Sequence, residues 1–122
     1  MAAVADAEVH SRVTRASTAE TATALQKLFG QKLTALLAGI RDPRTVGEWA
    51  QGGRAPHPET EQRLRDAYYI ASLLLEVESP QTVRAWFMGM NPKLGDRAPA
   101  LALSEGRAED VVVAARTFIA NG

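Results

Sequence analysis

The 122-residue sequence contains no cysteine, which excludes disulfides, thiolate metal sites and cysteine nucleophiles. It also lacks an excess of either charge: 14 Lys and Arg balance 14 Asp and Glu, so no overall field points to nucleic acid or a membrane surface. No apolar run approaches the roughly 18 residues that a spanning helix needs. The N-terminus has no basic patch followed by an apolar block, so no signal peptide is expected. Histidine is scarce. His57-Pro58-Glu59 matches the first half of a zinc deaminase signature, but the cysteine pair that completes it is missing, and His10 lies far away in sequence. No P-loop, dinucleotide glycine pattern or nucleophile elbow occurs. The pairs Glu59/Glu61 and Glu76/Glu78 sit at i,i+2, which a helix places on different faces. The expectation is one soluble, cytoplasmic domain that is not an enzyme and carries no metal or cofactor.

What is present is helical patterning. Residues 1–17 hold small residues and scattered charges with no sustained period, and read as a mobile tail. From Thr18 onward, Leu25, Leu28, Phe29, Leu33, Leu36, Leu37 and Ile40 recur at three- and four-residue steps. Gly30 interrupts that stripe and is placed to separate two helices. Asp42-Pro43 opens a short helix over 43–51, with Val46 and Trp49 on one face and Gly52-Gly53 as the stop. Residues 59–78 carry a broad apolar face of Leu64, Ala67, Tyr68, Ala71, Leu74 and Leu75, with Glu61, Arg65 and Glu76 facing out. Ser79-Pro80 caps the next helix, in which Val83, Trp86, Phe87 and Met90 follow helical spacing. Residues 91–99 form a loop, Pro99 opens a short helix through Ser104, and Gly106 precedes a last helix with Val111, Val112, Ala115, Phe118 and Ile119 as its stripe. No alternating strand is found. The fold class is all-α.

Residues 33–52 can be laid out as a helix-turn-helix, with Val46 and Trp49 packing inward and Arg44, Thr45 and Glu48 facing outward. In that layout Arg41, Arg44 and Arg54 are the phosphate-neutralising cations and Thr45 is a polar base reader. Residues 25–65 carry seven basic groups against four acidic ones, which a solvated helix face explains as well as a DNA footprint does. The same spacing also describes two packed helices joined by a turn. Glu48 repels phosphate, and Gly47 weakens the second helix by about 1 kcal/mol relative to alanine. Near the C-terminus, helical spacing accounts for Trp86, Phe87 and Met90 as core, whereas Met88 falls off the buried stripe and is the better candidate for a partner surface.

Taken in order, these segments resemble the Xre/MbcA/ParS family of bacterial antitoxins. The residues that carry the likeness are Asp42-Pro43-Arg44-Thr45-Val46-x-x-Trp49 with Gly52, then Leu64-x-x-Ala67-Tyr68-x-x-Ala71 and Val83-x-x-Trp86. They continue with Asn91-Pro92-x-Leu94-Gly95-x-x-x-Pro99, and Gly106 before a closing helix with Val111. The resemblance covers about 95 of the 122 residues and omits the tail. It implies a helix-turn-helix part over 18–78 and a toxin-binding module over 79–122. It further implies a partner toxin of the RES-domain, NAD-consuming type, neutralised when the C-terminal region blocks its active site, and repression of the operon through operator DNA. Asn91, Pro92, Leu94, Gly95, Arg97 and Pro99 would then shape the toxin-binding surface, joined by Met88. Residues 111–122, ending in Asn121 and Gly122, would lie at the toxin's pocket. The wide apolar faces of the first helical stripe and the long helix suit a homo-oligomer. The alternatives are a plain helix-turn-helix regulator whose C-terminal helices only dimerise, and a small helical adaptor in which both motifs are packing features.

Overall fold

The computed structural model describes residues 2–121, with side chains from Asp6 onward, and is built from α-helices: α1 (Ala2–Arg15), α2 (Thr18–Ala38), α3 (Arg44–Ala50), α4 (Pro58–Leu75), α5 (Pro80–Met88), α6 (Pro99–Ser104) and α7 (Ala108–Asn121). A 3-10 turn covers Pro92–Leu94. Among the described residues the only β pairing is an isolated bridge between Asn91 and Arg97. The all-α expectation holds. Among the described residues no helix is long and apolar enough to cross a membrane.

Local signals set most boundaries. Ser17 opens α2 with a reciprocal capping box, its hydroxyl accepting from the Glu20 amide at 3.0 Å while the Glu20 carboxylate accepts from the Ser17 amide at 2.8 Å. A cap of this kind contributes about 1 kcal/mol. Ser79 caps α5, and Pro80 and Pro99 occupy the opening turns of α5 and α6, where a missing N–H costs nothing. α3 begins one residue later than expected, but Asp42 still serves it, accepting from the Arg44 amide at 3.0 Å.

Gly30 breaks α2 (φ 82°, ψ 169°) in a backbone state open to glycine and costly for other residues. Side chains bond carbonyls beside the break. Buried Thr34 donates to the Gly30 carbonyl at 2.8 Å, and Arg84 on α5 donates to the Leu28 carbonyl at 2.8 and 3.1 Å. The two halves of α2 enclose one core with α3, α4, α5, α6 and α7, filled by Leu25, Leu37, Trp49, Leu64, Leu74 and Phe87 among others. The apolar faces of α2 and α4 that suggested self-association are largely turned into this core, with Leu36 and Leu75 left at the surface.

Residues 2–15 correct the expectation of an N-terminal tail without structure. They form α1, whose Val9 and Val13 are buried against Tyr68, Tyr69, Leu73 and Ile119. Its final turn carries Arg12 and Arg15, the sign that suits a helix C-terminus. Arg65, expected to face out, instead donates to the Val13 and Ala16 carbonyls at 3.2 and 2.8 Å and so closes the end of α1. Asp6 completes the attachment, accepting from the Tyr69 hydroxyl and pairing with Arg116 of α7 at 2.7 Å.

Candidate functional site

Two exposed edges hold the residues singled out above. At the first, the C-terminal half of α2, a turn and α3 stand against the start of α4. Val46 and Trp49 are buried, as the pattern requires. Arg44 is 85% exposed, but it is not a free cation. Its guanidinium makes two bonds to Asp42, at 3.0 and 3.1 Å, which hold the Asp42 carboxyl below its ordinary range and push the arginine up. Arg54 stands 3.5 Å from Glu48. Arg41 and half-buried Thr45 line a cleft with Arg54 that also takes in the first turn of α4. The structure therefore gathers Arg41, Thr45 and Arg54, and turns Arg44 toward its own neighbour. A Cβ at Gly47 would come within 2.9 Å of Gln31 Nε2, the far end of an exposed side chain on α2.

The second edge is formed by the end of α5, the 91–99 loop and α7. α5 ends at Met88, and Gly89 is extended, so Met90 lies beyond the helix whose spacing placed it in the core. That placement is corrected. Met90 is 80% exposed and Met88 is 61% exposed. Beside them Trp86, Met90, Pro92, Lys93, Thr117 and Phe118 line a cleft of about 400 Å³, with Asn91 and Asn121 at its polar margin. An aromatic chain ties this cleft to the core. Phe29 meets Phe87 at 4.8 Å between centroids, Phe87 meets Trp86 at 5.2 Å, and Trp86 meets Phe118 at 6.3 Å. The rigid backing suits a recognition surface, because little side-chain freedom is left to lose on binding.

The loop residues divide into surface and support. Asn91 is an organiser: its side chain accepts from the Lys93 amide at 3.0 Å, and its carbonyl accepts from the Leu94 and Asp96 amides at 2.9 Å each. Gly95 takes φ 65°, which lets the chain close back so that the Asn91 amide reaches the Arg97 carbonyl at 3.3 Å. Pro92 and Gly95 are exposed, whereas Leu94 and Pro99 are buried. The latter two hold the loop from inside and shape its surface from beneath. Arg97 forks onto Glu105, with Nε at 2.7 and 2.9 Å from the two carboxylate oxygens, and fixes the loop to α6. This pairing depresses the Glu105 carboxyl below its usual value. Asn121 is exposed near the end of α7, and Gly122 lies outside the described residues. Sequence reasoning passed over Trp86, Met90, Thr117 and Phe118 as surface. The available signal for Met90 was Gly89, which ends the helix just before it.

A larger hollow of about 740 Å³ lies between α1, α4 and α7, lined by His10, Val13, Tyr69, Val112 and Val113, with Asp66 at its wall. Burial raises the Asp66 carboxyl, against an opposing hydrogen bond from Gln62.

Over 70 residues the chain is 31% identical to the mycobacterial cidal antitoxin MbcA of Mycobacterium tuberculosis, and equally to that of Mycobacterium bovis. The match takes in 57% of this chain and spans 62% of the length of those relatives. No family model matches the sequence, and no solved structure matches it.

Proposed function

We propose that this chain is the antitoxin of a toxin–antitoxin pair and neutralises its toxin by direct contact through the α5–α7 edge. The observation that carries this reading is the 31% identity over 70 residues to the antitoxin MbcA. The exposed methionines beside a half-buried tryptophan and phenylalanine supply the surface, since aromatic and methionine side chains on a firm backing are enriched at interface cores. Following the sequence resemblance, the partner in this proposal is a RES-domain toxin that consumes NAD. Blocking such a toxin requires shape and area and no reactive group, so the chain acts without catalysis of its own. A stable contact of this kind buries on the order of 1,200–2,000 Å² in total. Repression of the operon belongs to the same proposal, with Arg41, Thr45 and Arg54 facing operator DNA and Arg44 contributing once it leaves Asp42.

The test is co-expression with a RES-type toxin. The wild-type chain restores growth and co-purifies with the toxin. Met88→Asp/Met90→Asp weakens the complex by on the order of 100-fold while the thermal melt is unchanged, because both side chains are exposed. A chain that shifts duplex DNA but neither protects nor co-purifies would be a plain transcriptional regulator.

A further inference from the structure

The cleft between α3 and the start of α4 has donors from several directions and little to accept from them. Its volume is about 420 Å³, and Arg41, Arg54, His57, Thr45 and Thr60 stand on its walls with Trp49. Among the described residues Arg41 takes part in no ion pair. Arg54 has only the long, exposed contact to Glu48 at 3.5 Å, which is worth little in water. The single acid on the wall is Asp42, and its carboxylate is already occupied by the side chain and the amide of Arg44.

Two further observations point to a missing acceptor. Trp49 is 3% exposed, and its indole N–H is buried with no hydrogen-bond partner. A buried donor left this way forfeits the hydrogen bond it had with water. The 18-residue helix α4 begins at the same cleft with no side-chain cap, since His57 holds the N-cap position without bonding the first turn. Pro58 has no N–H and the Glu61 amide bonds the His57 carbonyl at 2.8 Å, so the Glu59 and Thr60 amides are the donors this turn can offer an anion, against the Glu59 and Glu61 carboxylates on the same turn.

We propose that this cleft binds one phosphate group, held by the Arg41 and Arg54 guanidiniums and the first-turn amides of α4, with the Trp49 indole N–H as a further donor. The shared chemistry is a tetrahedral oxyanion, either a phosphodiester of a nucleic-acid backbone or a free phosphate. The site does not depend on the antitoxin reading, and it gives the operator part of that reading one definite contact.

The experiment uses the full chain labelled with ¹⁵N, with the two indole signals distinguished by Trp86→Phe. Inorganic phosphate is titrated at constant ionic strength against a chloride control. The expected result is a saturable shift of the Trp49 indole and the Thr60 amide. Arg41→Ala/Arg54→Ala should weaken binding at least about tenfold, whereas Glu48→Gln, which releases Arg54, should tighten it about twofold. Both sets of residues are exposed, so the fold is retained. A duplex that displaces phosphate assigns the source to nucleic acid, and a duplex that leaves it bound assigns a free phosphate; either outcome supports the cleft. No saturable shift with phosphate, or an equal shift in the double-alanine variant, overturns it. A chain that protects cells from the toxin yet shows no shift loses the anion site and keeps its antitoxin role.

Discussion

At the α3 edge the charged side chains largely answer one another, Arg44 with Asp42 and Arg54 with Glu48. At the α5–α7 edge Met88 and Met90 stand in solvent, while the charged pair Arg97–Glu105 fastens the loop behind them. The first edge is a set of weak, exchangeable ion pairs that a competing anion can reorganise at small cost. The second is an apolar surface whose free energy is released only when a partner covers it. Two modes of binding are thus built on one core, and they should respond to different perturbations.

The largest expected effect in the free chain tests whether the second edge depends on its buried support. Leu94 is 2% exposed beneath the loop, so Leu94→Ala should cost about 3 kcal/mol of stability, read by denaturant unfolding. A loss below about 1 kcal/mol would mean that the loop keeps its shape without that anchor. The α3 edge should keep its behaviour as long as the chain is folded.

A smaller effect concerns α1, which grips α7 through Asp6 and Arg116. The Tyr69 hydroxyl, followed by Arg116 and the charge on His10, holds the Asp6 carboxyl below its ordinary value, against a burial effect that raises it. A carboxylate whose folded-state value is depressed stabilises the fold above its unfolded-state value and loses that contribution as pH falls through the folded one. Hydrogen-exchange protection of α1 should therefore be lower at pH 3 than at pH 6. Asp6→Asn should remove most of that difference. Equal protection of the wild-type helix at both pH values would detach Asp6 from this role.

The smallest effect belongs to α3. Gly47→Ala should stabilise the chain by up to about 1 kcal/mol through helix propensity, because the only close atom is the far end of the exposed Gln31 side chain. A drop in melting temperature would show instead that the Gln31–Gln26 bond at 3.0 Å resists displacement.

The all-α class and most helix limits were legible because caps, prolines and 3.6-residue spacing act within a few residues. Ser79, Pro99 and Gly106 each did locally what their type predicts. The gathering of Arg41, Thr45 and Arg54 was legible for the same reason, since turn and short helix are contiguous. The α5–α7 cleft was not, because Trp86 and Phe118 are neighbours only after α7 folds back.

By itself, the sequence determined which stretches are helical from Thr18 onward and where most of them begin, though not that α4 stops at Leu75 and α5 at Met88, and that the chain lacks the residues of thiolate or P-loop chemistry. Tertiary structure alone decided that Val9 and Val13 find a surface to make α1 a packed helix, that Leu94 and Pro99 turn inward, and that Met90 turns outward. It also decided that Arg65 and Arg84 close backbone ends about fifty residues away. The physical reason is that helix propensity and capping are properties of neighbours along the chain, whereas burial and the satisfaction of orphaned carbonyls are properties of neighbours in space.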